Sequence, residues 1–112
     1  MNIKLIKISK NSTMTDQIKR SIIKKIEDIE EILFQVNKIL NSHDHGSNNI
    51  KLLETLCVQG FIAKNIVEFL KNLEIIKIKL KENKYNKTEL YNLKNEIIEV
   101  KNYLLMKFYH YL

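Results

Sequence analysis

The sequence predicts an all-α protein, in the form of an antiparallel four-helix bundle. The 112 residues contain no proline and only two glycines, and 45% of them are apolar. Few helix breakers are therefore present, and there is enough apolar surface for one core. Apolar residues recur at alternating steps of three and four, as in helices packed nearly parallel to their neighbours. We expect a single helical-bundle domain over residues 1–112.

The first ten residues, MNIKLIKISK, do not follow this helical pattern. Ile3 and Leu5 begin an alternation of period two, but the apolar phase slips at Ile6. We expect residues 1–12 to form a short arm or strand. The apolar stretch is too short and too often interrupted by lysine for a secretory signal or a membrane span. This predicts a cytoplasmic protein.

The first helix is predicted from Thr15 to Leu40. Thr13 or Thr15 can cap its first amides, and the polar run SHDHGSNN after Asn41 ends it. Its apolar seam consists of Ile22, Ile26, Ile29, Leu33, Val36 and Leu40.

Residues 50–82 have a helical composition throughout, but the apolar phase changes near Gly60. A single helix over this range would reach roughly 50 Å and overhang the first helix. We expect a short second helix and a longer third helix, while a continuous helix, giving three long helices, is the alternative. The apolar set before Gly60 is Leu53, Leu56 and Cys57, and the seam after it is Ile62, Ile66, Phe69, Leu73, Ile76 and Leu80.

The last helix is predicted to begin at Thr88, with Glu89 favourable in its first turn. Its seam consists of Leu90, Leu93, Ile97, Val100 and Leu104, and the same spacing continues onto Lys107 and Tyr111. Over all the helices, the predicted core includes Ile26, Ile29, Leu33, Ile66, Phe69, Leu73, Ile97 and Val100.

The net charge of +6 does not by itself indicate a nucleic-acid-binding protein. Arg20 is the only arginine among 19 basic residues, although arginine is the preferred bidentate reader of phosphate and guanine. Lysine, asparagine and isoleucine are abundant together, as an AT-rich genome would produce. We expect no specific nucleic-acid partner, while the positive charge allows attraction to a membrane surface or an acidic protein.

Residues typical of catalytic or metal sites are nearly absent. His43, Asp44 and His45 form an alternating triplet in a turn, which supplies at most part of a metal shell. The sequence has no CxxC, Gly-rich phosphate loop, HExxH or nucleophile elbow. Cys57 lies in an apolar run and is expected to be a core thiol. We expect no enzyme, no metal and no cofactor.

The C-terminal run MKFYHYL holds the densest set of aromatic side chains in the sequence. Phe108 and one tyrosine could close the end of the bundle against MNIKLI, with the other rings at the surface. Alternatively, the run forms an aromatic and basic patch that faces a partner, since tyrosine is favoured at interfaces. The candidate partner-binding residues are Tyr103, Lys107, Phe108, Tyr109, His110 and Tyr111.

Three stretches, NNIKLLETLCVQG, NKTELYNLKNEIIEV and the tail YHYL, carry a resemblance to a known family. With its length and basic charge, the chain resembles the immunity proteins of pediocin-like (class IIa) bacteriocins. The resemblance implies an antiparallel four-helix bundle in the cytoplasm. It also implies that the C-terminal half, with the six residues named above, acts on a membrane sugar-transporter complex with bound bacteriocin, and that the protein lies peripheral to the membrane.

The sequence therefore predicts a non-enzymatic helical interaction protein, most concretely a bacteriocin immunity protein. A secretion chaperone or a coiled-coil structural subunit is the alternative, and a nucleic-acid-binding protein is less favoured. Regular seams serve an intramolecular bundle and a homodimer equally, so the oligomeric state stays open.

Overall fold

The computed structural model describes residues 2–40 and 49–112, and over residues 2–14 and at residue 49 it describes the backbone alone. Within these residues the protein is all-α, as predicted, and has no strand. The last helix leads into a single turn of 3₁₀-helix, Tyr109–Tyr111. The α-helices in the described residues are α1 Asn2–Leu40, α2 Asn49–Val58, α3 Lys64–Lys71, α4 Leu73–Lys81 and α5 Lys87–Lys107.

Helix α1 begins at Asn2, which corrects the expectation of a short arm or strand over residues 1–12. Residues 2–14 contain neither proline nor glycine, and a helix that is already formed gains a backbone hydrogen bond with each residue it adds. Thr13 and Thr15 therefore lie inside the helix and do not cap it. The 39 residues of α1 extend about 58 Å, nearly the full 61 Å length of the molecule.

Gly60 separates α2 from α3, as the change of phase predicted, so residues 50–82 do not form one continuous helix. Gly60 has a φ of 78°, a left-handed conformation that glycine adopts without a Cβ penalty. Its N–H donates to the Cys57 carbonyl at 3.0 Å, and the Phe61 N–H donates to the Leu56 carbonyl at 2.9 Å. These two bonds form a Schellman motif, which turns the chain and directs Phe61 toward the core.

A second break, which the sequence pattern did not indicate, separates α3 from α4 at Asn72. The Asn72 side chain donates through Nδ2 to the Glu68 carbonyl at 3.0 Å, a local bond of the kind that competes with regular helix. Across this break the buried positions follow one another at steps of three, from Val67 to Leu70 and Leu73, and not at the alternating steps that the sequence predicted. Val67 and Leu70 therefore face the core where Ile66 and Phe69 were predicted, and the latter two are only partly buried.

Asparagines also end α4 and begin α5. Asn83 has a φ of 56°, and asparagine tolerates this region better than most residues. The Asn86 side chain accepts a hydrogen bond from the Glu89 N–H at 2.8 Å, while the Asn86 N–H donates to Glu89 Oε1 at 2.9 Å. The N-cap of α5 is therefore Asn86, two residues before the predicted cap, Thr88. The expected place of Glu89 in the first turn is confirmed.

The first and last helices run in the same direction. Lys19 of α1 hydrogen-bonds Asn83, just before α5, and further along both helices Lys101 Nζ lies 2.9 Å from Asp28 Oδ2. The C-terminal end of α1 then contacts the 3₁₀ turn that follows α5. In an up-down-up-down bundle of four helices the first and last helices are antiparallel, so these contacts do not give the predicted helix order.

Helix α4 runs opposite to α1. Lys77 contacts Glu30, whereas Asn83, later in the chain, contacts Lys19, earlier in α1. The long segments are thus arranged up, down and up, with α1 and α5 parallel, α4 between them in sequence, and the short α2 packed on α1 and α3.

The core runs along the whole interface between these helices. Six of the eight predicted core residues are buried, and Ile66 and Phe69 are the two exceptions. The described part of the chain has no buried polar side-chain atom without a hydrogen-bond partner. The buried residues are Ile18, Ile22, Ile26, Ile29, Ile32, Leu33, Val36, Leu52, Leu53, Leu56, Ile62, Val67, Leu70, Leu73, Ile76, Leu80, Leu90, Leu93, Ile97, Val100, Leu104 and Phe108.

Ion pairs hold α1 in register with α5 and α4. The hydrogen bond from Lys101, with a second from Lys24, lowers the pKa of the Asp28 carboxyl below its ordinary value of 3.8. Lys77 lies 2.8 Å from Glu74 and 2.9 Å from Glu30, and these two bonds raise the pKa of its ammonium group. Since each pair lies at the edge of the core, its contribution to stability is modest.

We expect Ile97→Ala to lower the free energy of unfolding by about 2 to 5 kcal/mol, because Ile97 is fully buried in α5. Chemical denaturation followed by circular dichroism measures the change. The matched control is Ile78→Ala on α4, whose side chain is 55% exposed and whose truncation should change stability by no more than about 0.5 kcal/mol. Equal losses in the two variants would contradict the assigned core.

We expect Asp28→Asn to lower the free energy of unfolding by about 0.5 to 1 kcal/mol at pH 7. Because the folded-state pKa is depressed, the ionised group contributes stability above its unfolded pKa, and this contribution is lost as the pH falls through the folded value. Parent and variant should therefore become equally stable once the pH is below the folded-state pKa. A loss that is the same at both pH values would show that packing, and not charge, accounts for the effect.

Candidate functional site

Phe108 ends α5 and closes the core at that end of the molecule. Its side chain is 0% exposed, and its ring lies 5.7 Å from Phe61 and 6.2 Å from Tyr111, measured between centroids. Phe108 is one of the six predicted partner-binding residues, but a completely buried ring cannot reach a partner. The described start of α1 lies toward the opposite end of the molecule, because α1 is parallel to α5. The side chains of MNIKLI, which were expected to cover this end, lie outside the described part of the chain.

Tyr103 and Lys107 connect the last turns of α5 to the start of α3. The Ala63 N–H, at the N-terminus of α3, donates to Tyr103 Oη at 2.9 Å. The Lys107 ammonium group lies 5.4 Å from the centroid of Phe61 and 5.6 Å from that of Tyr103, within the range of cation–π attraction. Both side chains are partly buried, so they position the helices and leave only part of their surface to solvent.

Tyr109, His110 and Tyr111 form the 3₁₀ turn and are exposed. Tyr109 is 74% exposed, and its ring packs edge-on against His110 at 5.5 Å between centroids. The turn is anchored through its backbone, since the Tyr111 N–H donates to the Phe108 carbonyl at 2.9 Å. The predicted site is therefore divided between a buried anchor and an exposed aromatic turn.

Exposed apolar side chains are concentrated at this end of the molecule. Thirteen large apolar side chains in the described residues are strongly exposed, and eight lie where α1, α2 and α5 end. Val58, at the end of α2, is 88% exposed, and Met106 is 68% exposed. We call this surface the apolar tip: Ile39, Leu40, Val58, Leu105, Met106, Tyr109, Tyr111 and Leu112. Apolar surface gathered in this way is typical of a binding site.

A groove of about 410 Å³ opens beside Tyr111. Its walls come from α1, α2 and the end of α5, and they include Leu40, Leu52, Leu56 and Phe61. The groove thus continues the apolar tip into the body of the protein.

The sequence pattern did not identify Phe61 or Val58 as part of this site. Val58 ends α2 and Phe61 follows it, and both are far from α5 in sequence. The Gly60 turn brings them to the end of the molecule where α5 ends. The phase change of the apolar residues at Gly60 predicted a turn. It did not predict that the residues of this turn would contact the end of α5.

The described residues contain no group of three or more histidine, cysteine or acidic side chains that could hold a metal ion. Cys57 is partly buried and free. The triplet His43, Asp44 and His45 lies outside the described residues. In the described part of the chain, no helix is long and apolar enough to cross a membrane.

No protein-family model, curated protein or solved structure matches the chain.

We expect Phe108→Ala to lower the free energy of unfolding by about 3 to 5 kcal/mol, because it removes a fully buried ring. Tyr109→Ala, one residue further along, should change it by no more than about 0.5 kcal/mol. Denaturant titration of both variants measures the difference. Similar stabilities would contradict the division between a buried anchor and an exposed turn.

Proposed function

We propose that the protein is a non-enzymatic interaction protein that binds a protein partner through the apolar tip. The observation that supports this most strongly is the exposure of Tyr109, Met106 and Val58 at one end of an otherwise ordinary helical surface. Aromatic residues and methionine are enriched in protein interfaces. A contact at this end would bury side chains that water now surrounds.

The tip has a rigid base, which favours recognition. Phe108 is packed against Phe61, and Tyr103 is hydrogen-bonded to the start of α3. A backbone held on such a base needs little ordering when a partner binds. Lys107 adds a positive charge beside the exposed rings, so an apolar partner surface with acidic residues at its edge suits the tip.

More concretely, we propose that the protein is a bacteriocin immunity protein that acts in the cytoplasm, at a membrane receptor complex, through its C-terminal half. The resemblance of its sequence to the immunity proteins of pediocin-like bacteriocins supplies this partner class. The antiparallel four-helix order that the resemblance implies differs from the parallel α1 and α5 described above. The proposal therefore relies on the C-terminal tip and not on helix order.

The buried seams make a coiled-coil structural subunit less suitable. Residues such as Ile26 and Ile97 are already covered within one chain, so a dimer through the same seams would have to open the core. Nucleic-acid binding is also disfavoured, because Arg20 is the only arginine among 19 basic residues. A secretion chaperone would use the same tip and differs only in the partner.

We expect the double variant Met106→Ser/Tyr109→Ala to lose at least about tenfold in protection when it is produced in a strain sensitive to pediocin-like bacteriocins, since exposed anchors of this kind are worth a few kcal/mol at an interface. Growth inhibition across a bacteriocin dilution series measures protection. Circular-dichroism melts of the purified protein should remain close to those of the parent, because the two side chains are exposed.

The matched control is Ile75→Ser/Ile78→Ser, which removes two exposed apolar side chains from α4, away from the tip. This variant should protect as the parent does. Equal loss in both variants would contradict a role for the tip. If the parent gives no protection against any pediocin-like peptide, the immunity proposal is wrong, while partner binding by the tip is tested separately.

A further inference from the structure

A second groove lies between α3 and α5, on a different side of the molecule from the apolar tip. It has a volume of about 600 Å³ and follows α5 from Asn92 to Tyr103, a length of about 16 Å. Its lining is mixed: the polar part consists of Asn65, Asn92, Asn95, Glu96 and Glu99, and the apolar part, which we call the floor, consists of Ile66, Phe69, Val100 and the ring of Tyr103. These residues are three or four positions apart on each helix, which matches the spacing of side chains along one face of a helical ligand.

The break at Asn72 accounts for the apolar floor. Val67 and Leu70 of α3 face the core, which leaves Ile66 and Phe69 partly buried at the edge of α3. In a bundle with a further helix against α3 and α5, such side chains would be covered. In this protein the three long segments are α1, α3 with α4, and α5, and no further described helix covers the groove between α3 and α5.

The charge of the groove is opposite to that of the protein. Glu96 and Glu99 line one side of it, and no lysine lines it, although the chain carries a net charge of +6. Neither glutamate forms an ion pair with any described residue, whereas Asp28, Glu30 and Glu54 each contact a lysine. Two carboxylates without cationic partners beside an apolar floor complement a cationic ligand with an apolar face.

We propose that this groove binds a basic amphipathic helix of a partner protein. Apolar side chains on one face of that helix would lie on Ile66, Phe69 and the ring of Tyr103, and lysine or arginine beside that face would pair with Glu96 and Glu99. This site is separate from the apolar tip, and it stands whether or not the tip binds a bacteriocin receptor.

The test uses a fluorescently labelled synthetic peptide of about 14 leucine and lysine residues, with the leucines on one helical face, a length that covers the groove. Fluorescence anisotropy with the full chain should give saturable binding. The double variant Glu96→Gln/Glu99→Gln should weaken binding at least about fivefold, and Phe69→Ala should weaken it as well. A peptide of the same pattern with glutamate in place of lysine should not bind.

The matched control is Glu27→Gln/Glu82→Gln, which removes the same charge from exposed positions outside the groove. Its affinity should stay within about twofold of the parent. Equal weakening by both double variants would overturn the proposal, because only net charge would then matter. Loss of binding on Met106→Ser/Tyr109→Ala alone would place the peptide at the tip and overturn it too.

Sedimentation equilibrium of the parent, without peptide, tests whether a second copy of the chain occupies the groove. A monomer at all concentrations supports a groove that is free for a partner helix. A dimer that dissociates in Glu96→Gln/Glu99→Gln would show that a second copy of the chain occupies the groove, and would overturn the proposal.

Discussion

The packing of α1 along α5 is the constraint on which the other features depend. The apolar seams of both helices are buried, except for Leu40 at the end of α1, and Asp28 and Lys101 fix their register. Because the two helices run in the same direction, the chain must return along the molecule between them, which α3 and α4 do. Because they run in the same direction, α1 and α5 end at the same end of the molecule. Phe61, which follows α2, packs on Phe108 there and so brings the end of α2 to this end as well. The apolar tip is thus a consequence of helix direction.

Asparagine and glycine determine where this chain of helices can break. Without proline, the turns rely on Gly60 and Asn83 in left-handed conformations and on Asn72 between α3 and α4. Each turn also sets which side chains remain outside the core. Gly60 places Val58 at the tip, and Asn72 leaves Ile66 and Phe69 beside α5. Both proposed binding surfaces therefore lie next to a helix break, where the regular burial of apolar stripes stops.

The sequence predicted the regular parts of the fold and missed what depends on tertiary contacts. The spacing of three and four identified the buried faces of α1 and α5, and the phase change identified the Gly60 turn. The break at Asn72 involves a single side-chain bond and leaves no clear change in composition. The direction of α5 relative to α1 depends on which ends meet, which periodicity does not encode. For the same reason, periodicity did not separate the buried Phe108 from the exposed Tyr109 within the aromatic tail.

Site-specific photo-crosslinking tests the role of the tip most directly. A photoreactive phenylalanine analogue would replace Tyr109 in one variant and Ile78, an exposed residue of α4, in another, and each would be irradiated in cells that normally produce the protein. We expect the analogue at position 109 to form a discrete covalent adduct with one other protein, and the analogue at position 78 to form none. No adduct at position 109, or the same adduct at both positions, would contradict the assignment of the tip as the recognition surface.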